Sequence, residues 1–281
     1  MPSFLERLQR PEPIILDGAT GTELARRGLD TGTPIWSALA LMEAPHIVEQ
    51  VHADYLTAGA EIILTNTFRT HRRNLDTLGL GAEAARLTAL AVAIAQKAVA
   101  SSGQAAWVAG SMSPLEDSYS PTRTHSHATY LAAHSEMAAN LSAAGVDLLL
   151  AETMNTVAES AAAAEAAAAT GLPFGASWVC RDDGRLLSGE SIADAVAAVA
   201  PFGPTFLGIN CTPAPVLGRA LQALCAASDL PLGAYANIGH TDTVEEWQHT
   251  ADVSSEEYAA CAAEWLGQGL KLIGGCCNTT P

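Results

Sequence analysis

Eight short runs of β-branched and apolar residues alternate with longer, alanine-rich stretches of helical pattern, and this alternation restricts the fold more than any other feature. The runs cover 14–17, 61–65, 106–110, 147–152, 173–178, 205–210, 232–236 and 270–274. Helical patterns fill 45–58, 82–101, 130–144, 156–169, 191–200, 214–227 and 255–267. Gly59, Gly145, Gly171 and Gly269 stand where a helix can end in a left-handed cap. Strands separated by helices pair in parallel through right-handed crossovers, and eight such units favour an α/β (β/α)8 TIM barrel over an open doubly wound sheet. No linker rich in Pro, Gly or Ser divides the 281 residues, so 1–281 is expected to form one barrel domain. The eighth run stands a few residues before Pro281, so the final helix is expected to be missing. Segment 3–9 could close the barrel there, a neighbouring copy in a homo-oligomer could, or the sequence could be truncated.

A net charge of −16, from 14 basic and 30 acidic residues, argues against nucleic-acid or anionic-membrane partners, whose phosphates would be repelled. With 49% hydrophobic and 16% charged residues the chain can bury a large core. Its N-terminus has no secretory pattern, and Glu159 and Glu165 interrupt one of the longest alanine-rich runs. A cytoplasmic setting is therefore expected. In a reducing compartment the six cysteines suit metal binding or catalysis better than a disulfide framework.

Barrels of this kind carry their chemistry at the C-terminal ends of the strands. Those ends read Asp17-Gly18, Thr65-Asn66-Thr67, Gly110-Ser111, Glu152-Thr153, Ser177-Trp178, Asn210-Cys211, Asn237 and Gly274-Gly275-Cys276-Cys277. Adjacent cysteines on a regular strand point to opposite faces. Two preceding glycines free the backbone to turn both thiols toward one ion. Cys211, two strands earlier round the barrel, supplies a third sulfur. Three thiolates with one open position match catalytic zinc, which holds a bound thiol as the nucleophilic thiolate. A bare Cys-Cys pair would equally suit burial or a vicinal disulfide, but its company at two strand ends favours the metal. Cys225 and Cys261 fall in helical patterns and read as filler, and Cys180 lies just past a strand end. His125, His127 and His134 could chelate, yet the first two sit in a polar loop, 118–128, that reads better as a cover over the barrel mouth.

At these residues the chain resembles the homocysteine S-methyltransferase family. The matching pieces are LDGATGTEL at 16–24, HADYLTAGAEIILTNTFRTH at 52–71, AETM at 151–154, GINCTP at 208–213, YANIG at 235–239 and GGCCNTTP at 274–281. Two departures stand out: the absent last helix, and Ser111-Met112-Ser113-Pro114 where many relatives have a glycine-rich turn.

The resemblance implies a homocysteine-binding (β/α)8 barrel holding Zn2+ on Cys211, Cys276 and Cys277, and a methyl transfer to homocysteine that gives methionine. Glu152 and Asp17 are then candidates for the substrate's ammonium. Gly18 and its loop, Thr65, Asn66 and Ser111 could serve its carboxylate. Asn237 could fill the open zinc position or bind substrate. Trp36, Phe68, Tyr119, Trp178 and Tyr235 could face a cationic donor by cation–π attraction. The segment 36–41 resembles the branch that uses S-methylmethionine, which puts a sulfonium donor ahead of betaine or a methyl-corrinoid protein. A related thiol or selenol acceptor stays open. A zinc hydrolase on the same barrel and a zinc-responsive binding protein are the rivals from other classes, but three thiolates make zinc a poor activator of water.

Overall fold

The computed structural model describes residues 3–32, 34–122, 124–239 and 252–281. In chain order the strands are β1 (Ile14–Ile15), β2 (Ile62–Leu64), β3 (Trp107–Met112), β4 (Leu148–Met154), β5 (Phe174–Trp178), β6 (Phe206–Pro213), β7 (Leu232–Asn237) and β8 (Leu272–Gly275). The helices are α1 (Phe4–Leu8), α2 (Gly21–Arg26), α3 (Ala40–Glu43), α4 (Pro45–Thr57), α5 (Arg72–Asp76), α6 (Ala84–Ser102), α7 (His127–Ala144), α8 (Val157–Ala168), α9 (Ile192–Val199), α10 (Gly218–Ala227) and α11 (Ser255–Gly267). None of the described helices is long and apolar enough to cross a membrane.

All strand pairs are parallel, in the order β1-β8-β7-β6-β5-β4-β3-β2. The ring is completed through β1 and β2: Asp17 N–H donates to Ile62 O at 2.9 Å and Glu61 N–H to Ile15 O at 2.7 Å. The expected TIM barrel therefore forms. Strand periodicity divides its side chains between two cores. Leu64, Leu148, Leu150, Phe206, Tyr235 and Leu272 fill the interior, while Ile63, Leu149, Ala151, Leu207, Ile209 and Ala234 meet the helices outside. Gly175 stays small because a Cβ there would strike the Phe206 ring.

Gly59, Gly145, Gly171 and Gly269 take φ of 104°, 85°, 75° and 95°, as their places after helices require. Thr156, Ser191 and Ser254 cap α8, α9 and α11 by accepting from the N–H of Glu159, Asp194 and Glu257. Segment 3–9 does not stand in for the eighth crossover helix. Its α1 plugs the barrel floor, where Phe4 meets Trp107 and Phe206 edge-on at 6.0 and 5.9 Å. Residues 276–281, after β8, carry no helix, and Ile15 on the outer face of β1 is left 39% exposed.

Candidate active site

Two strands break register where the chemistry collects. β4 slips against β5 between Ala151 and Met154, and β6 slips against β7 between Asn210 and Pro213. Within these bulges Thr153 and Cys211 adopt positive φ, 58° and 49°, a conformation that costs a non-glycine residue on the order of 1 kcal/mol or more. Asn210 holds the two irregularities together. Its Oδ1 accepts from Thr153 N–H at 2.9 Å and from Ser177 Oγ at 2.9 Å, and its Nδ2 donates to Thr153 Oγ1 at 2.7 Å. The strain thus turns Cys211 and Glu152 toward the mouth and is locked by one buried carboxamide.

The GGCC segment arrives from the other side. Neither Gly274 nor Gly275 has positive φ, so the glycines work differently from the sequence expectation. They are needed because β1 and the following turn press against them. A Cβ on Gly274 would lie 2.6 Å from Leu16 Cβ and 2.9 Å from Asp17 O, and one on Gly275 would strike Thr279. The turn itself is clasped: Cys276 N–H donates to Ala236 O at 2.9 Å, Asn278 N–H to Thr22 Oγ1 at 3.0 Å, and Arg26 to Asn278 O at 2.5 Å. Asn237 braces both cysteine-bearing strands, donating to Cys211 O at 2.8 Å and accepting from Cys277 N–H at 2.9 Å. Its carboxamide is engaged there, and Asn237 does not line the cavity described below.

The outcome is a cluster of three sulfurs, those of Cys211, Cys276 and Cys277, all within 4.8 Å of one another. Cys211 and Cys276 are joined as a disulfide, with Cα atoms 5.5 Å apart, where the sequence reading expected free thiols. The cause is proximity: two thiols brought this close can share a bond or a metal. Cys277 Sγ stands 4.0 Å from Cys211 Sγ, close to the spacing of roughly 3.8 Å that tetrahedral Zn–S bonds of about 2.3 Å imply. The donor set therefore suits zinc in its reduced form. Burial pushes the Cys277 thiol up to about 12 without a metal. Of the other cysteines, Cys180 is buried, Cys225 exposed and Cys261 part-exposed on α11.

The sulfurs open onto a cavity of about 390 Å³, within the usual range for small-molecule sites. Gly18, Thr65, Asn66, Ser111 and Glu152 all line it. Glu152 is 6% exposed, accepts a hydrogen bond from Ser111 Oγ and touches Tyr235. Burial pushes its carboxyl up to about 7, against the opposing pull of those two hydroxyls. Thr65 Oγ1 accepts from Ser111 N–H at 3.1 Å, and Asn66 Nδ2 donates to Ser37 O at 2.9 Å, fixing the segment that carries Trp36.

Asp17 lies behind Gly18 and outside the cavity lining. Its Oδ2 accepts from Leu64 N–H at 2.9 Å while Oδ1 is buried with no partner. Burial first, and the Glu152 charge after it, hold this carboxyl well above the usual range. It does not cap α2, whose N-cap position is Thr20.

Trp36, Phe68, Tyr119 and Tyr235 line the cavity; Trp178 instead packs outside the barrel, its indole N–H donating to Ser160 Oγ at 3.0 Å. Of the loop 118–128, Ser118 and Tyr119 reach the cavity, while residue 123 is outside the described residues. The histidines disperse: His125 pairs with Glu116, His127 with Glu165 and His134 with Glu159. Sequence reasoning passed over Arg69, Asn210 as a brace and the Thr279 turn. Only the last had a signal, the NTT after GGCC.

Three cysteine sulfurs and a buried carboxyl sharing one cavity at the C-terminal mouth of a parallel barrel define a sulfur-chemistry TIM-barrel site. The sequence model described as homocysteine S-methyltransferase matches residues 14–281, and the chain belongs to that family. It is 34% identical to the homocysteine S-methyltransferase of Escherichia coli over 98% of this chain and 94% of that one. It is 29% identical to a selenocysteine methyltransferase of Astragalus bisulcatus over 97% of this chain and 90% of that one. The metallated form of the Escherichia coli homocysteine methyltransferase MmuM superposes with a TM-score of 0.84 at 33% identity, covering 98% of this chain and 95% of that one.

Proposed function

We propose that this chain moves a methyl group from a sulfonium donor to the thiol of homocysteine, giving methionine, with zinc held by Cys211, Cys276 and Cys277. The carrying observation is that three sulfurs within 4.8 Å open onto the same cavity as the buried Glu152. Zinc on three thiolates keeps a bound thiol deprotonated near neutral pH without making it inert. The metallated relative and the family match support this reading.

The chain's own residues do the rest. Glu152 faces the acceptor's ammonium, whose charge favours the ionised carboxylate. Gly18 lines the same cavity and stays glycine for packing, since a Cβ there would lie 2.6 Å from Thr279 Oγ1 and 2.7 Å from Tyr55 OH. Hydroxyls of Thr65 and Ser111 line the same wall. Asp17, just behind Gly18, is held toward its neutral form by burial, which leaves the ammonium to Glu152. Trp36, Phe68, Tyr119 and Tyr235 line the cavity, and the faces of such rings attract a sulfonium. The methyl carbon then needs only to be held between the thiolate and the departing neutral thioether, a matter of positioning. We place this chemistry in one domain and in the cytoplasm, where reduction keeps the three cysteines as thiols.

The test is a parallel assay on reduced, zinc-loaded protein: homocysteine with S-methylmethionine, S-adenosylmethionine, dimethylsulfoniopropionate or betaine, scored for methionine by mass spectrometry. Methionine from a sulfonium without added cobalamin or folate is expected. No product from any donor would overturn the function while leaving the metal site to be judged by zinc content.

A further inference from the structure

Arg69 follows β2 beside Phe68 and is the one basic side chain among the described residues lining the cavity. The charged groups that share the wall with it, Glu116, Asp117 and Glu152, are all acids. Its guanidinium lies over the Phe68 ring, 5.3 Å from the centroid, and Phe68 meets Trp36 edge-on at 5.8 Å. One N–H group donates to Glu116 O at 3.1 Å. Its near neighbours in sequence behave differently: Arg72 pairs with Glu136 and Arg73 with Glu116. Arg69 forms no ion pair among the described residues, although it is partly buried and Asp117 and Glu116 act on it through space.

A guanidinium offers five N–H donors in a planar fork that matches a carboxylate. Desolvating one without a facing anion is costly, and a ligand that brings the anion recovers that cost. The aromatic side chains Trp36 and Phe68 stand beside this fork, on the wall where a sulfonium would be received. Any donor that also carries a carboxylate would be repelled by Glu116, Asp117 and Glu152 and attracted at Arg69.

We propose that Arg69 binds the carboxylate of the methyl donor and thereby selects donors that carry both a sulfonium and a carboxylate. This rests on the methyl-transfer reading above. It assigns Arg69 to the donor and leaves the acceptor to Glu152.

The experiment is calorimetry on the reduced, zinc-loaded full chain with S-methylmethionine and with its carboxamide, which keeps the sulfonium and removes the anion. Wild type should prefer the carboxylate form by about ten- to a hundredfold, the range for a charged hydrogen bond. Arg69→Met should reduce the preference to about twofold or less while homocysteine binding holds. Arg69→Lys should keep part of it, since an ammonium supplies charge without the fork. Equal binding of both ligands by wild type, no binding of either, an undiminished preference in Arg69→Met, or matching loss of homocysteine binding would each overturn the assignment. If Arg69→Met does not fold, Arg69→Lys carries the same test. Methionine formation by wild type is scored separately. Product with an Arg69-independent preference refutes the donor site alone. No product with an Arg69-dependent preference refutes the methyl-transfer reading and leaves a carboxylate site standing.

Discussion

Replacing Glu152 with glutamine should make the metal-free protein more stable at pH 8 and worse at binding homocysteine, two effects of opposite sign from one atom change. The carboxyl sits at about 7 in the fold because it is buried. An unfolded chain returns it to roughly 4.3. Between those values the folded state binds the extra proton, so stability falls as pH rises from about 4.3 to 7 and is flat above. At 1.36 kcal/mol per pH unit the ionised carboxylate costs the fold roughly 3 to 4 kcal/mol at pH 8, and almost nothing at pH 4. Glutamine carries no charge and escapes that cost, losing about 1 kcal/mol where its amide N–H replaces an acceptor facing Ser111. Urea unfolding of wild type and Glu152→Gln at pH 5 and pH 8 measures the difference directly. The variant's advantage should grow by about 2 kcal/mol or more between the two pH values. Homocysteine affinity should fall by about ten- to a hundredfold, the worth of a charged hydrogen bond. A variant destabilised equally at both pH values would refute the reasoning, because the buried charge would then be stabilised by something other than substrate.

Cys276→Ser and Cys277→Ser should each lose most of the zinc that reduced wild type takes up, about one ion per chain by elemental analysis, while Cys225→Ser on the exposed face of α10 retains it. Asn210→Ala removes the clamp on both bulges and should lower zinc affinity and stability together, by about 1–3 kcal/mol for the groups left unpaired. Gly274→Ala should abolish soluble expression or cost about 3 kcal/mol in denaturant unfolding, whereas Gly267→Ala, with open space around it, should be near neutral.

The barrel was legible because its strands and helices differ in period, and every one of the eight runs became a strand. Boundaries moved most at β6, which extends to Pro213 through a bulge that no propensity announces. The three cysteines could be gathered on paper because strand order alone sends Cys211 and GGCC to one mouth. Their disulfide could not, since spacing says where sulfurs meet and nothing about their oxidation. The glycines were visible but their reason was not: a clash with Leu16, distant in sequence, decides Gly274. Arg69 had no pattern to betray it, because an arginine without an acidic partner is a fact of surroundings rather than of sequence.

The turn after β8 is secured by residues from the opposite end of the sequence: Asn278 N–H reaches Thr22 Oγ1 across 256 positions and Ala19 N–H reaches Thr279 Oγ1 across 260. A chelate built on that turn cannot assemble early. While a ribosome is still extending the chain, Cys211 emerges alone, and no nascent intermediate short of ring closure presents the three sulfurs together. If the proposed site takes up zinc, capture is therefore expected to be a late event whose rate follows the meeting of β1 with β8. Appearance of bound metal during refolding would serve as a clock for completion of the whole ring, which loss of tyrosine exposure or recovery of helix, both satisfied by partial barrels, would not.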